Sequence, residues 1–385
     1  MSYEELEQKY LLPTYDKLPL VLVRGEGVHV YDDKGAKYLD FYGGHAVAST
    51  GHCHKDVVKA ISDQAGKLIF YSNVCYNDAR AEAAELVVKN AYAGSRSVFF
   101  CNSGTEANEA ALKIARRATG RPRIIATTTG FHGRTIGSLS VTGGAKYRDP
   151  FPENLANLTE FVPFGEFEAV ERALSPDVAA VIIEPVQSTG GVRVGNKRYY
   201  ERLREMCSGN GCALIFDEVQ TAFGRTGKMM AGQHWGVEPD ICTTAKAAAG
   251  GVPIGMVILN EAIAGAPAPG EHASTFGGGP LAMAALKANL GVILKEKLAD
   301  NAREMEMAIR DSLGANPLIR AIKGKGLLLG LDLNKDAKTV VAELLKRKII
   351  VGSSGPADQI RLLPPLTIQP EHVRELRSAL REIAK

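Results

Sequence analysis

A chain of 385 residues is too long for one ordinary small core and long enough for two domains. Its 45% hydrophobic and 23% charged content is ordinary for a globular protein, and a net charge of +3 gives no case for nucleic acid or a membrane surface as partner. Its cysteines, Cys53, Cys75, Cys101, Cys207, Cys212 and Cys242, include no CxxC pair, so neither a zinc site nor a disulfide framework is indicated.

The N-terminus, MSYEELEQKY, has no basic n-region or apolar h-region, and no apolar stretch is long enough to span a bilayer, which reads as a cytoplasmic protein. After a short helical stretch, VLVRGEGVHVYDDKGAKYLDF alternates around Gly25, Gly27 and Gly35 as a small antiparallel meander would, with a hairpin turn at Asp33-Lys34-Gly35. The following YGGHAVASTGHCH is a Gly-rich loop. Its histidines and Cys53 do not have a recognised metal-ligand spacing, and a loop tied by ordinary hydrogen bonds is expected. Amphipathic helices are predicted from about Lys55 to Lys67 and from Asp78 to about Asn90.

Ser97 to Cys101 reads as a strand, NSGT as a tight turn, and EANEAALKIARRAT as a helix that buries Ala107, Ala110, Ala111, Ile114, Ala115 and Ala118 and ends at Gly120 and Pro122. A strand feeding Ser103-Gly104-Thr105 onto a helix N-terminus is a ready anion site. No Gly-Lys-Ser/Thr follows, so this is not the P-loop pattern. Simple N-capping by Ser103 is the competing reading. Arg123 to Thr128 is the next strand, with TGFHGRT at its C-terminal end, and Val178 to Ile183 is another, followed by Glu184.

Two further apolar runs carry the chemistry. Ala213 to Phe216 ends in Asp217-Glu218, and Ile241 to Thr244 ends in Ala245-Lys246. Short apolar runs with β-branched and aromatic residues read as buried strands of an α/β sheet, and such sheets bind ligands beyond the carboxyl ends of their strands. Lys246 stands among alanines and glycines with no other charge nearby. Desolvation there favours the neutral, nucleophilic amine, which condenses with an aldehyde to a Schiff base. A lysine snorkelling from a strand end is equally compatible with this stretch alone. A buried Asp217 needs a cationic or hydrogen-bonding partner; a protonated pyridine nitrogen is one, and capping of the next helix is the alternative.

DEVQTAFGRTG followed by a strand and a lone lysine resembles the class III (ω-amino acid) aminotransferases, a pyridoxal-phosphate family, and within it the acetylornithine branch. The resemblance runs from RGEGVHVYDDKGAKYLDF to RLLPPLTI. It implies an α/β, fold-type-I architecture: a large domain at 51–290 with a mainly parallel sheet, and a smaller α+β domain from 1–50 and 291–385. It implies a homodimer with shared active sites and no metal. It makes Lys246 the cofactor-bearing and proton-shuttling base and Asp217 the partner of the ring nitrogen. Ser103, Gly104 and Thr105 become the phosphate turn and Phe131 the aromatic stacked on the ring. Glu184 belongs to the surrounding hydrogen-bonded shell and Gln220 reaches the ring hydroxyl. Thr275 reaches the neighbouring subunit's phosphate. Arg134 and Arg361 match substrate-carboxylate residues, and His45 lies in the loop at the substrate entrance. The implied reaction moves the ω-amino group of N-acetylornithine to 2-oxoglutarate, giving a semialdehyde and glutamate, as in arginine biosynthesis. Ornithine, a lysine-pathway amine, 4-aminobutyrate or an α-amino donor are alternatives, and a non-catalytic nucleotide-binding α/β protein is a second one.

Two departures stand out. The family pattern continues Gly-Glu-Gly-Gly after the Glu-Pro-Val-Gln segment, whereas this chain has Ser188-Thr189-Gly190-Gly191. In the family the missing glutamate is the one that pairs with the late arginine, here Arg361, so Arg361 is expected to be more open to α-carboxylates. Gly279 stands where the family usually has Asn. Beyond GMVILN, read as a strand, EHASTFGGGPLAMAALKANL enters a long helix. The tail offers strands in GLLLGLDL, KIIVG and IRLLPPL and helices in TVVAELLKRK and EHVRELRSALREIA.

Overall fold

The computed structural model describes all residues except 152–156 and 354. Its centre is a seven-stranded sheet whose strands, in chain order, are β1 (Ser95–Cys101), β2 (Arg123–Thr127), β3 (Thr159–Val162), β4 (Val178–Ile183), β5 (Ala213–Asp217), β6 (Ile241–Thr244) and β7 (Gly255–Asn260). In space they run β1-β7-β6-β5-β4-β2-β3. β4, β5 and β6 are buried along their whole lengths, which is why they read as unbroken apolar runs. All neighbours are parallel except β7, which lies antiparallel between β6 and β1. The 245–254 link between β6 and β7 is too short for a parallel crossover, which takes about a dozen residues or more, so the chain must turn back on itself. That return carries Lys246.

The chain ends meet in a separate small sheet. The meander Leu22–Glu26, His29–Asp32 and Lys37–Asp40 pairs antiparallel as expected, and Ile349–Ile350 joins it parallel to Lys37–Asp40. A further antiparallel sheet has the order Ile319–Lys325, Leu328–Leu333, Gln359–Leu362 and Gly352–Ser353. The expected KIIVG strand therefore splits between two sheets, around Val351. Ile319–Lys325 and β3 were not anticipated. Ile319–Lys325 is an edge strand in which Ile319 alone is buried, and little of its apolar pattern survives. Helix Pro280–Lys295 crosses the 290/291 division, and the break before helix Leu298–Leu313 falls at Lys297, with φ 51°. Among the described residues no helix is long and apolar enough to cross a membrane, and no group of His, Cys, Asp and Glu is placed to hold a metal ion.

Candidate active site

The C-terminal ends of β1, β2, β4, β5 and β6 open on one cleft of about 660 Å³, within the size range of small-ligand sites. Lys246, Asp217, Glu184, Phe131, Ser103, Gly104, Thr105, Gln220, Arg134, Arg361 and His45 all line it. Of the residues singled out from sequence, Thr275 alone lies elsewhere, exposed on the surface of its own chain.

Lys246 opens a 3-10 turn, Lys246–Ala248, directly after β6 and has φ 37°. A non-glycine residue in that region is strained, and the strain persists only where the surroundings hold it. The Ala247 carbonyl is held by the Ser49 hydroxyl at 2.8 Å and the Asn289 amide at 2.7 Å. Burial pushes the Lys246 ammonium down; Asp217 and Glu184 pull it back up, and Arg361 pushes it down again. Among the described residues its Nζ makes no hydrogen bond or ion pair, which leaves the amine available.

Asp217, only 3% exposed, ends β5. Its Oδ1 accepts from the Val219 N–H at 3.0 Å, and its Oδ2 accepts from Asn108 Nδ2 at 2.8 Å and from His132 Nδ1 at 2.7 Å. Asn108 also donates to the His132 carbonyl at 2.6 Å and accepts from the Thr243 hydroxyl at 2.7 Å. The carboxylate is thus fixed in place by side chains from two other elements. Asn108 and His132 had been given no role from sequence. The signal for Asn108 was its position in the alanine-rich buried stripe of helix Gly104–Thr119; His132 sits openly in TGFHGRT.

At the N-terminus of that helix, Ser103 is the N-cap, and its hydroxyl accepts from the Glu106 N–H. The capping reading therefore holds for the Ser103 side chain, and the backbone N–H groups of Gly104 and Thr105, neither of which has a partner among the described residues, are left able to meet an anion. A Cβ on Gly104 would lie 2.7 Å from Val219 Cγ1, so only glycine lets the segment after Asp217 pack so closely on the helix start. Thr105 Oγ1 sits 2.6 Å from Ser138 Oγ and 2.9 Å from Thr135 Oγ1. Phe131 donates its N–H to Glu184 Oε1 at 2.9 Å. Burial raises the Glu184 carboxyl to about 7.

A second group of residues forms the mouth. The Arg134 guanidinium lies over the rings of Tyr147 and Phe131, at 5.3 and 5.9 Å, and no carboxylate bonds to it among the described residues. Arg361, 7% exposed, donates to the Ser353 carbonyl at 2.7 Å, the Ser188 hydroxyl at 2.9 Å and the Tyr42 hydroxyl at 3.2 Å. Thr189 lines the same cleft and supplies no charge. Gly43, Gly44, His45 and Ala46 have φ of 55°, 56°, 65° and 66°, one turn of left-handed backbone. Each non-glycine residue there costs about 1–2 kcal/mol. Gln220 Nε2 reaches the His45 carbonyl at 3.4 Å.

The architecture and these groups fit one ligand type. A desolvated lysine suits an aldehyde, an oriented carboxylate suits a ring nitrogen, and unpaired N–H groups at a helix start suit a phosphate; all three face one cleft of the right size, so the residues fit pyridoxal 5'-phosphate. A doubly wound α/β enzyme of the carbonyl-cofactor kind is what this fold and site define. The model of the family "Aminotransferase class-III" matches residues 10–384, and the chain belongs to that family of pyridoxal-phosphate-dependent aminotransferases. It is 45% identical over 386 aligned positions to an acetylornithine aminotransferase of Methanopyrus kandleri, covering 100% of this chain and 98% of the relative. It is 40% identical to a [LysW]-aminoadipate semialdehyde transaminase of Deinococcus radiodurans, covering 98% of this chain and 89% of that protein. Among solved structures, an ornithine aminotransferase of Toxoplasma gondii superposes with a TM-score of 0.93 at 32% identity, covering 99% of this chain and 93% of that one.

Proposed function

We propose that this aminotransferase moves the ω-amino group of N-acetylornithine, or of a closely similar ω-amino acid, to 2-oxoglutarate. The observation that carries the reading is the placement of Lys246 and Asp217 in one cleft with two guanidiniums, Arg134 and Arg361, that no carboxylate among the described residues bonds. Bound cofactor supplies the aldehyde and the electron-accepting ring. Lys246 would hold the cofactor through its amine and would serve as the base and acid that takes the proton from the amine-bearing carbon and returns it. Asp217, held by Asn108 and His132, keeps a proton on the ring nitrogen. Gly104 and Thr105 would hold the phosphate through backbone N–H groups, and Phe131 and Gln220 would hold the ring. Glu184 braces the loop that carries Phe131. Arg134 takes the donor's carboxylate and Arg361 a carboxylate of the acceptor.

The same reading makes the working unit a homodimer in which Thr275 serves the partner's phosphate. Supporting this, Thr275 adjoins the exposed Phe276, whose ring packs on Phe70, next to exposed Ile69, Tyr71, Val74 and Tyr76. The sheet shared by Lys37–Asp40 and Ile349–Ile350 supports assigning 1–50 and 291–385 to one smaller domain. Six free thiols favour a reducing, cytoplasmic setting. A second donor class, the α-amino acids, is favoured by the lack of a carboxylate on Arg361 among the described residues. The test is a donor panel of N-acetylornithine, ornithine, 4-aminobutyrate and α-amino acids with 2-oxoglutarate, followed by the cofactor's absorbance. N-acetylornithine should give the highest kcat/KM, and no response to it overturns the donor assignment.

A further inference from the structure

Helix Lys197–Asn210 ends in a glycine cap that brings two cysteines together. Gly211 is left-handed, with φ 71°, and donates its N–H to the Ser208 carbonyl at 3.3 Å. The next residue, Cys212, donates its N–H back to the Cys207 carbonyl at 3.1 Å. This is the Schellman arrangement, in which the two residues joined by the longer bond also meet through their side chains. That contact is commonly between hydrocarbon groups. Here it is between two thiols, and the Cys207 S–H is given to the Cys212 sulfur. The backbone bond holds the two residues at a separation that a disulfide spans.

The two sulfurs are not equivalent. Cys207 is 0% exposed, whereas Cys212, immediately before β5, is 5% exposed. The hydrogen bond from Cys207 lowers the Cys212 thiol, burial raises it, and Arg121 and then Arg204 lower it. The same hydrogen bond and burial both raise the Cys207 thiol. The guanidiniums are fixed in place. Arg121 Nη1 donates to the Asn210 carbonyl at 2.9 Å and the Val178 carbonyl at 3.2 Å, and Arg204 pairs with Asp240 at 2.8 Å. Cys212 is therefore the thiol that ionises and meets solvent, and Cys207 stands behind it with its proton. Reactive thiols sit in such electropositive, partly open places. Burial pushes the thiols of Cys101, to about 12, and Cys242 the other way.

We propose that Cys207 and Cys212 form a reversible oxidation site, at which a peroxide oxidises Cys212 and Cys207 closes the product to an intramolecular disulfide. The Cys212 thiolate attacks one peroxide oxygen, the O–O bond breaks, and the departing hydroxide leaves as water with the proton that Cys212 gave up. The Cys207 sulfur then attacks the Cys212 sulfur of the sulfenic acid. The S–S bond forms, the S–O bond breaks, and a second water leaves with the Cys207 proton. The two thiols lose two electrons in all, and one peroxide gains them. A dithiol reductant reverses the reaction by exchange. In a reducing compartment a disulfide of this kind is transient. The pair lies outside the cleft, at the far end of β5 from Asp217, so the inference stands apart from the choice of amino donor.

The test treats cofactor-loaded native enzyme with about one equivalent of hydrogen peroxide per chain, then denatures, alkylates and digests it with trypsin. Both cysteines fall in one tryptic peptide, 205–225. That peptide should come out two hydrogens lighter and unalkylated, and should form at least about tenfold faster than Cys101 or Cys242 loses its alkylation. Dithiothreitol should restore both thiols. In Cys207→Ala, dimedone should trap a sulfenic acid on Cys212; in Cys212→Ala, Cys207 should stay alkylatable. Should either variant fail to fold, the native-enzyme measurement carries the test by itself. Retention of both thiols in the native enzyme, oxygen on either cysteine without loss of the two hydrogens, or a disulfide to any other cysteine overturns the proposal. So does a dimedone adduct on Cys207 in Cys212→Ala.

Discussion

The inner end and the mouth of the cleft are built on opposite principles. At the inner end both oxygens of Asp217 accept hydrogen bonds, from Asn108, His132 and the Val219 N–H, and Asn108 and His132 are buried. At the mouth, among the described residues, Arg134 meets only aromatic rings and Arg361 only neutral oxygens, beside a turn held in left-handed backbone. Satisfied, buried networks fix one geometry, which chemistry common to many substrates requires. Unpaired cations leave binding energy to be collected by the ligand, which is where discrimination between substrates arises. Inner-end variants should therefore lose rate with every acceptor, and mouth variants should change the ranking of substrates.

The largest effect is expected from Lys246→Ala. It should still bind pyridoxal phosphate, but not covalently: borohydride should fix no cofactor to the chain, and kcat should fall by about 10³-fold or more. Retained turnover would remove the lysine's role. Asn108→Ala comes next. It leaves Asp217 short of a donor and the Thr243 hydroxyl without its acceptor, so it should lower stability by about 1–3 kcal/mol in urea unfolding. It should also lower kcat equally for 2-oxoglutarate and pyruvate; an acceptor-selective effect would blur the division between the two regions. Thr189→Glu places a carboxylate in the cleft near Arg361. The kcat/KM ratio of α- over ω-amino donors should fall several-fold, about the worth of one charge-assisted contact, and an unchanged ratio would mean the new acid does not reach the arginine.

The smallest effect is a pH dependence at Glu184. Burial raises this carboxyl from 4.5 to about 7, so its folded form holds a proton that the unfolded chain releases. The stability tied to that proton is fully present below pH 4.5 and is lost as pH rises through about 7. Between pH 5 and pH 8 the Tm of the native enzyme should therefore fall relative to that of Glu184→Gln, which cannot ionise. Parallel Tm curves would show that Glu184 is ionised throughout.

The legibility of the chain followed the same division. β4, β5 and β6 were readable because strands buried on both faces are apolar without interruption, and Asp217 and Lys246 stood out at their ends as charges in apolar company. Ile319–Lys325 escaped because it is an edge strand with Ile319 alone buried, so no alternating apolar pattern marks it. The bracing of Asp217 by Asn108 and His132 was invisible because those residues are 109 and 85 positions away in sequence. The replacement of the glutamate by Thr189 was readable, but what Arg361 bonds instead was not: Tyr42 and Ser188 lie 319 and 173 positions from it.

The amino-acid sequence by itself determined the buried strands β4, β5 and β6, the turn at Ser103-Gly104-Thr105 and the polar ends Asp217 and Lys246, because local polarity and periodicity encode what must be buried and which polar groups resist it. Only the tertiary structure decided the antiparallel return of β7, the left-handed turn at His45 and the neutral surroundings of Arg361. Each of those depends on groups far apart in the chain meeting at fixed distances, and no local pattern records such a meeting.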